Sequence, residues 1–188
     1  MKPQPIAKSP LELRAQFVEI SNYVTARFGA MDHAVLTNRP NAESWSAAEC
    51  LAHLNLSVDP YFALWEKALK GAPYAGEDTY RLDFWGRILV WTLEPPPKFR
   101  FPAPAPFRPV NVEQPQLIVP EFLKRQAAIL QILDDASGLA SGKVKIVSPF
   151  NKHVRYSVWS SFCVTASHER RHLWQAERAV GKVVKQGT

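Results

Sequence analysis

Seven of the sixteen residues from Glu94 to Pro109 are proline: Pro95, Pro96, Pro97, Pro102, Pro104, Pro106 and Pro109. Proline lacks the amide hydrogen and collides with the preceding helical turn, so no helix interior can cross this stretch, and extended polyproline geometry is favoured. The chain is therefore split into a leading and a trailing part joined by a stiff arm. Phe99, Phe101 and Phe107 are interleaved with the prolines and look made for burial. The arm can pack across the end of a bundle, meet a dimer partner or cover an active site.

On either side of the arm the apolar spacing is helical. Ser9-Pro10-Leu11-Glu12 is a capping box with proline at the first helical position. Leu13, Phe17, Ile20, Val24, Phe28, Met31 and Val35 then form one stripe, predicting a first helix that runs to Asn38-Arg39-Pro40. Ser46-Ala47-Ala48-Glu49 is a second capping box, opening a second helix to about Gly71, with a kink or break expected at Pro60. A shorter helix over Thr79 to Glu94 carries Trp85, Ile88, Leu89 and Thr92 on one side. A third long helix is expected from near Pro120 to Ala136, on Leu123, Ala127, Leu130 and Leu133, with Gly138 as its stop. After a loop holding one short strand, Lys143 to Val147, a fourth helix spans Ser157 to Val180. The pattern predicts an all-α four-helix bundle with a long Pro-rich crossover between helices two and three.

With 188 residues, 46% of them hydrophobic, the chain can bury one substantial core, which predicts a single domain over residues 1–188 with 71–115 as an inserted helix and arm. The longest apolar run, Ile88 to Leu93, is far too short to span a membrane. The start, Met1 to Ile6, is basic without an apolar stretch behind it, so we expect a cytoplasmic protein. The net charge of +6 is scattered rather than blocked, which argues against a nucleic-acid partner. Cys50 and Cys163 are expected to be buried free thiols.

Within the fourth helix, His168-Glu169-Arg170-Arg171-His172 places two imidazoles four residues apart, a spacing that lets both reach one metal ion. Ser157, Ser161, Val164, Thr165, His168, His172, Gln175 and Ala179 fall within about 60° of one direction on the helical wheel. That face is small and half polar, as expected of a helix lining a ligand-accessible cavity. A zincin protease reading fails on its third ligand, because Arg178 stands where a histidine is needed and Gln175 where a glycine is. His53, seven residues into the capped second helix, is the candidate third ligand. Glu49, one turn earlier, is placed to orient it. Gln175 is a candidate for hydrogen bonding to a ligand or a histidine. Glu169 is the candidate general base, though a carboxylate at the pocket edge or an ion pair with Arg170 or Arg171 suits its wheel position better. His33, near the end of helix one, and His153, in a loop, are assigned to the surface. Trp45 is expected to pack the start of helix two, and Trp174 to face a core or dimer seam.

Trp45-Ser46, Glu49 and His53-Leu54, together with His168-x-x-x-His172 and Gln175, resemble the second- and fourth-helix patterns of the DinB-like superfamily. These are metal-binding four-helix bundles related to bacillithiol and mycothiol S-transferases. The resemblance implies His53, His168 and His172 as metal ligands, an up-down-down-up helix order and a homodimer. The stretch from Gly71 to Pro115 departs from the compact family pattern.

Three neutral imidazoles leave a divalent ion, zinc or nickel first, with a position for water or substrate. Hydrolysis of a small molecule and transfer of a low-molecular-weight thiol are both chemically accessible to such an ion. A metal-binding or stress-linked interaction module without turnover is the alternative.

Overall fold

The structure, a computed structural model, describes residues 1–74, 80–99, 102–109 and 112–186. Each serine cap starts a helix. The Ser9 hydroxyl accepts from the Glu12 N–H at 3.2 Å, opening α1, Pro10–Phe28. The Ser46 hydroxyl accepts from the Glu49 N–H at 3.1 Å while Glu49 accepts the Ser46 N–H at 2.8 Å, opening α3, Ala47–Leu69. Between them lies a short α2, His33–Thr37. After α3 come α4, Phe84–Leu93, a 3-10 turn at Ala105–Phe107, α5, Pro115–Asp135, a hairpin of β1, Lys145–Val147, and β2, Arg155–Ser157, and α6, Val158–Gln186.

α1, α3, α5 and α6 form the bundle, with α1 and α3 at opposite corners and α4 laid against α6. The long-range bonds give the helix directions. Arg14, early in α1, meets Asp134 at the end of α5, so these two run antiparallel. Gln16 bonds Arg170 and Arg27 bonds Glu177, so α1 and α6 run parallel. His53 faces His168 while Trp65 reaches Ser161, so α3 opposes α6. The order is up-down-down-up, and the long link from α3 to α5 crosses the bundle. The core is built on Leu13, Phe17, Ile20, Val24, Leu51, Leu54, Trp65, Ile129, Phe162 and Leu173, all nearly inaccessible.

Several local expectations shift. Helix one stops at Phe28 because Asp32 caps a separate helix by accepting the Ala34 N–H at 2.7 Å, and α2 buries Leu36 rather than Val35. α3 runs unbroken through Pro60, and α5 begins at Pro115 and runs through Pro120. In both cases the carbonyl freed by proline belongs to an exposed residue, Leu56 or Gln116, where water can satisfy it. The buried face of α5 is Val119, Phe122, Gln126, Ile129 and Leu133, with Ala127 exposed. Gly138, with φ +79°, takes the left-handed conformation beyond the end of α5.

Thr79 lies outside the described residues, and α4 starts at Phe84 under an Asp83 cap. Its buried positions are Gly86 and Val90, while Trp85 stands 39% exposed. Gly86 decides this orientation: a Cβ there would sit 2.6 Å from the Ser160 Cβ, so only glycine lets α4 approach α6 so closely. In the arm, Phe107 is buried but Phe99 is half exposed, its ring beside Trp91, and Phe101 lies outside the described residues. Pro104, with φ −57° and ψ 146°, has the polyproline conformation expected of this stretch.

Candidate metal centre

α6 begins where the hairpin ends. The Ser157 hydroxyl accepts the Ser160 N–H at 3.0 Å, and Asp83 accepts the Ser157 N–H at 2.6 Å, so one carboxylate both caps α4 and steadies the start of α6. Three turns on, the helix delivers His168 and His172 to the seam with α3, where the Ser46 cap has placed His53.

One ligand nitrogen from each of His53, His168 and His172 lies within 4.8 Å of the others. The Nε2 atoms of His53 and His168 are 3.2 Å apart. Two nitrogens bound to one zinc at 2.0–2.1 Å and a tetrahedral angle stand about 3.3 Å apart, so this separation is that of a ligand pair. The other nitrogen of His53 faces the Phe107 carbonyl oxygen at 2.7 Å, which places the hydrogen on Nδ1 and leaves the Nε2 lone pair turned toward the cluster. The Nδ1 of His172 is buried without a hydrogen-bond partner. Three imidazole nitrogens brought this close, two of them at the spacing of a ligand pair, are what a divalent cation would satisfy, and the residues present fit one.

Burial lowers the pKa of all three histidines, and for His168 and His172 the neighbouring imidazoles and the Arg171 cation push in the same direction. Neutral imidazole, the form that binds metal, is thereby favoured. Gln175 acts on His172 in the opposite sense, as a side chain bonded to the protonated ring does. Aromatic rings wall the cluster. Trp45 stacks on His172 with ring centres 5.9 Å apart and tilts over His53 at 5.0 Å. Phe150 lies 6.1 Å from His168 and 4.5 Å from Phe107. His168 alone of the three is partly exposed.

The other candidates stand elsewhere. Glu49 bonds Arg39 as well as the Ser46 N–H. Burial pushes its carboxyl upward, but those bonds outweigh burial and hold it below the usual carboxylate range. Glu169 is 2% exposed and accepts from the Gln126 side chain on α5 at 2.7 Å, so an amide holds it instead of Arg170 or Arg171. Burial raises its pKa to about 8, against smaller opposing effects of Gln126 and Arg170. Arg170 pairs with Glu94.

The early turns of α6 are packed rather than cavity-lining: Ser161 accepts from the Trp65 indole at 2.7 Å, and that ring stacks on Phe162. His33 and His153 are exposed, and His33 opens α2 instead of closing helix one. Cys50 and Cys163 are buried free thiols. Trp174 is half-buried under the Arg178 guanidinium. Sequence reasoning missed the Phe107 carbonyl, which has no sequence signature, and the stacking role of Trp45, whose place just before the second cap was the available signal.

No curated protein and no solved structure gives a significant match to the chain. A family model described as the DinB superfamily matches residues 16–176, from the second turn of α1 to beyond His172. The chain belongs to the DinB superfamily.

Proposed function

We propose that the protein binds one divalent metal ion, zinc or nickel, through His53, His168 and His172, and uses it in thiol S-transfer or hydrolysis of a small molecule. The observation that carries this reading is the convergence of three imidazoles from two helices, with His168 partly exposed. When bound, the ion supplies a Lewis acid that lowers the pKa of a coordinated water or thiol. The chain's own groups do the rest. The Phe107 carbonyl holds the His53 tautomer, and Trp45 and Phe150 exclude bulk water from the ring faces. Gln175, about one turn beyond His172, is a side-chain hydrogen-bonding partner for that ring.

A second reading, a metal-binding or stress-linked interaction module without turnover, draws on Glu169. Its carboxyl turns to Gln126 on α5, so the sequence-level candidate base is held by the bundle interior. Homodimerisation belongs to the same proposal, with the exposed Phe84, Trp91 and Phe99 as contact candidates. No described helix is long and apolar enough to cross a membrane. Together with two free thiols, this suits the cytoplasm, where we place the protein.

Chelation tests the two readings. Turnover of a small thiol or ester that vanishes with chelator and returns with zinc or nickel supports the enzyme. Metal binding at one ion per chain without such turnover supports the module.

A further inference from the structure

Arg171 sits between the two histidines of α6 and is 8% exposed. Residues three apart lie side by side on a helix, so its side chain emerges next to that of His168, the histidine left partly open. Its guanidinium donates to the Thr92 carbonyl at 3.2 Å and to the Phe99 carbonyl at 2.6 Å. These two bonds aim the group but do not balance its charge. The next residue back makes the contrast: Arg170, also buried, is neutralised by Glu94. No carboxylate among the described residues pairs with Arg171, whose guanidinium bonds are to backbone carbonyls.

A buried cation without a counter-ion is expensive to keep. Beside it stands His168, one of three imidazoles that bring no negative charge, so a divalent ion held by them would add two further positive charges nearby. The arrangement lacks an anion. Guanidinium binds carboxylate and phosphate through charge-assisted, often paired, hydrogen bonds.

We propose that Arg171 recognises an oxyanion, a carboxylate or phosphate, on the small molecule that binds at the histidine cluster, an inference that rests on the cluster being a metal-centred substrate site. The α4 end and the arm then have a defined part in recognition, because their carbonyls at Thr92 and Phe99 set where the guanidinium stands. The ligand is bifunctional: one end reaches the metal and the other, anionic, reaches Arg171.

The test uses the full-length protein loaded with cobalt(II), whose near-ultraviolet thiolate band reports a thiol on the metal. 3-Mercaptopropionate and 2-mercaptoethanol carry the same donor, but only the first has a carboxylate. At least tenfold tighter binding of 3-mercaptopropionate is expected. Arg171→Gln should abolish that preference while cobalt still binds at one ion per chain, and Arg171→Lys should retain part of it. Equal affinities in the wild type, or a preference that survives Arg171→Gln, overturns the inference. If no cobalt binds, the metal reading fails separately, and inorganic phosphate titrated into the metal-free protein by calorimetry decides Arg171. Phosphate binding lost in Arg171→Gln upholds the oxyanion site, and no phosphate binding in the wild type refutes it.

Discussion

The Nε2 atoms of His53 and His168 face each other at 3.2 Å across the seam between α3 and α6. Two imidazoles with lone pairs in contact repel unless a proton or a cation lies between them. Neutral His168 can place its single N–H there, whereas burial lowers the pKa of both rings and disfavours an added proton on the pair.

His53→Ala should therefore abolish metal binding although His168 and His172 remain, because two ligands on one helix do not close the site. Elemental analysis should find about one divalent ion per wild-type chain and none in the variant. Metal at a hundredfold excess over its Kd should stabilise the wild type by about 2.7 kcal/mol. A variant whose melting temperature still rises with added zinc would show that His53 is not a ligand.

Phe107→Ala should weaken metal binding without changing its stoichiometry. The carbonyl that holds His53 is backbone, but the Phe107 ring, packed on Phe150, fixes where that carbonyl stands. Loss of such an orienting contact typically lowers metal affinity about 10–100-fold. Competition against a chromophoric chelator measures it, and unchanged affinity would show that the arm does not support the site.

Glu169 gives a pH signature. Its carboxyl is raised from an ordinary 4.5 to about 8 in the folded protein. Between those values the unfolded chain binds fewer protons at this residue than the folded one, so its contribution to stability falls as pH rises through the window. Glu169→Gln keeps an acceptor for Gln126 and cannot ionise. On metal-free protein, the variant should gain on the order of 3 kcal/mol relative to wild type between pH 5 and pH 8. Denaturant midpoints that differ by the same amount at both pH values would contradict a raised Glu169 pKa.

Glu94→Gln should destabilise the fold by about 3 kcal/mol, because it leaves Arg170 buried and unpaired. Urea unfolding measures the loss. A smaller effect in Arg170→Met/Glu94→Gln than in the single variant would attribute it to the stranded charge.

The helices were legible wherever a signal was local. Ser9 and Ser46 announced α1 and α3 because a cap is a contact between residues three apart. The fully buried positions of α4 were not legible because Gly86, which carries no apolar side chain, approaches Ser160 closely. No break occurs at Pro60, and α5 starts before Pro120, since proline's penalty depends on whether the freed carbonyl faces water. The face of α6 looked like a cavity wall from composition alone, yet the Trp65 indole occupies it beside Ser161.

By itself, the sequence determined an all-helical bundle crossed by a proline arm, and a pair of imidazoles at one helical repeat, because caps, apolar periodicity and proline sterics act within a few residues. Only the tertiary structure decided that His53 meets His168, that a carbonyl of the arm turns the His53 lone pair inward, that Glu169 turns to Gln126, and that Arg171 has no partner among the described carboxylates. Those relationships join residues tens to more than a hundred positions apart. They depend on how α3, α4, α5 and α6 pack, which no local propensity encodes.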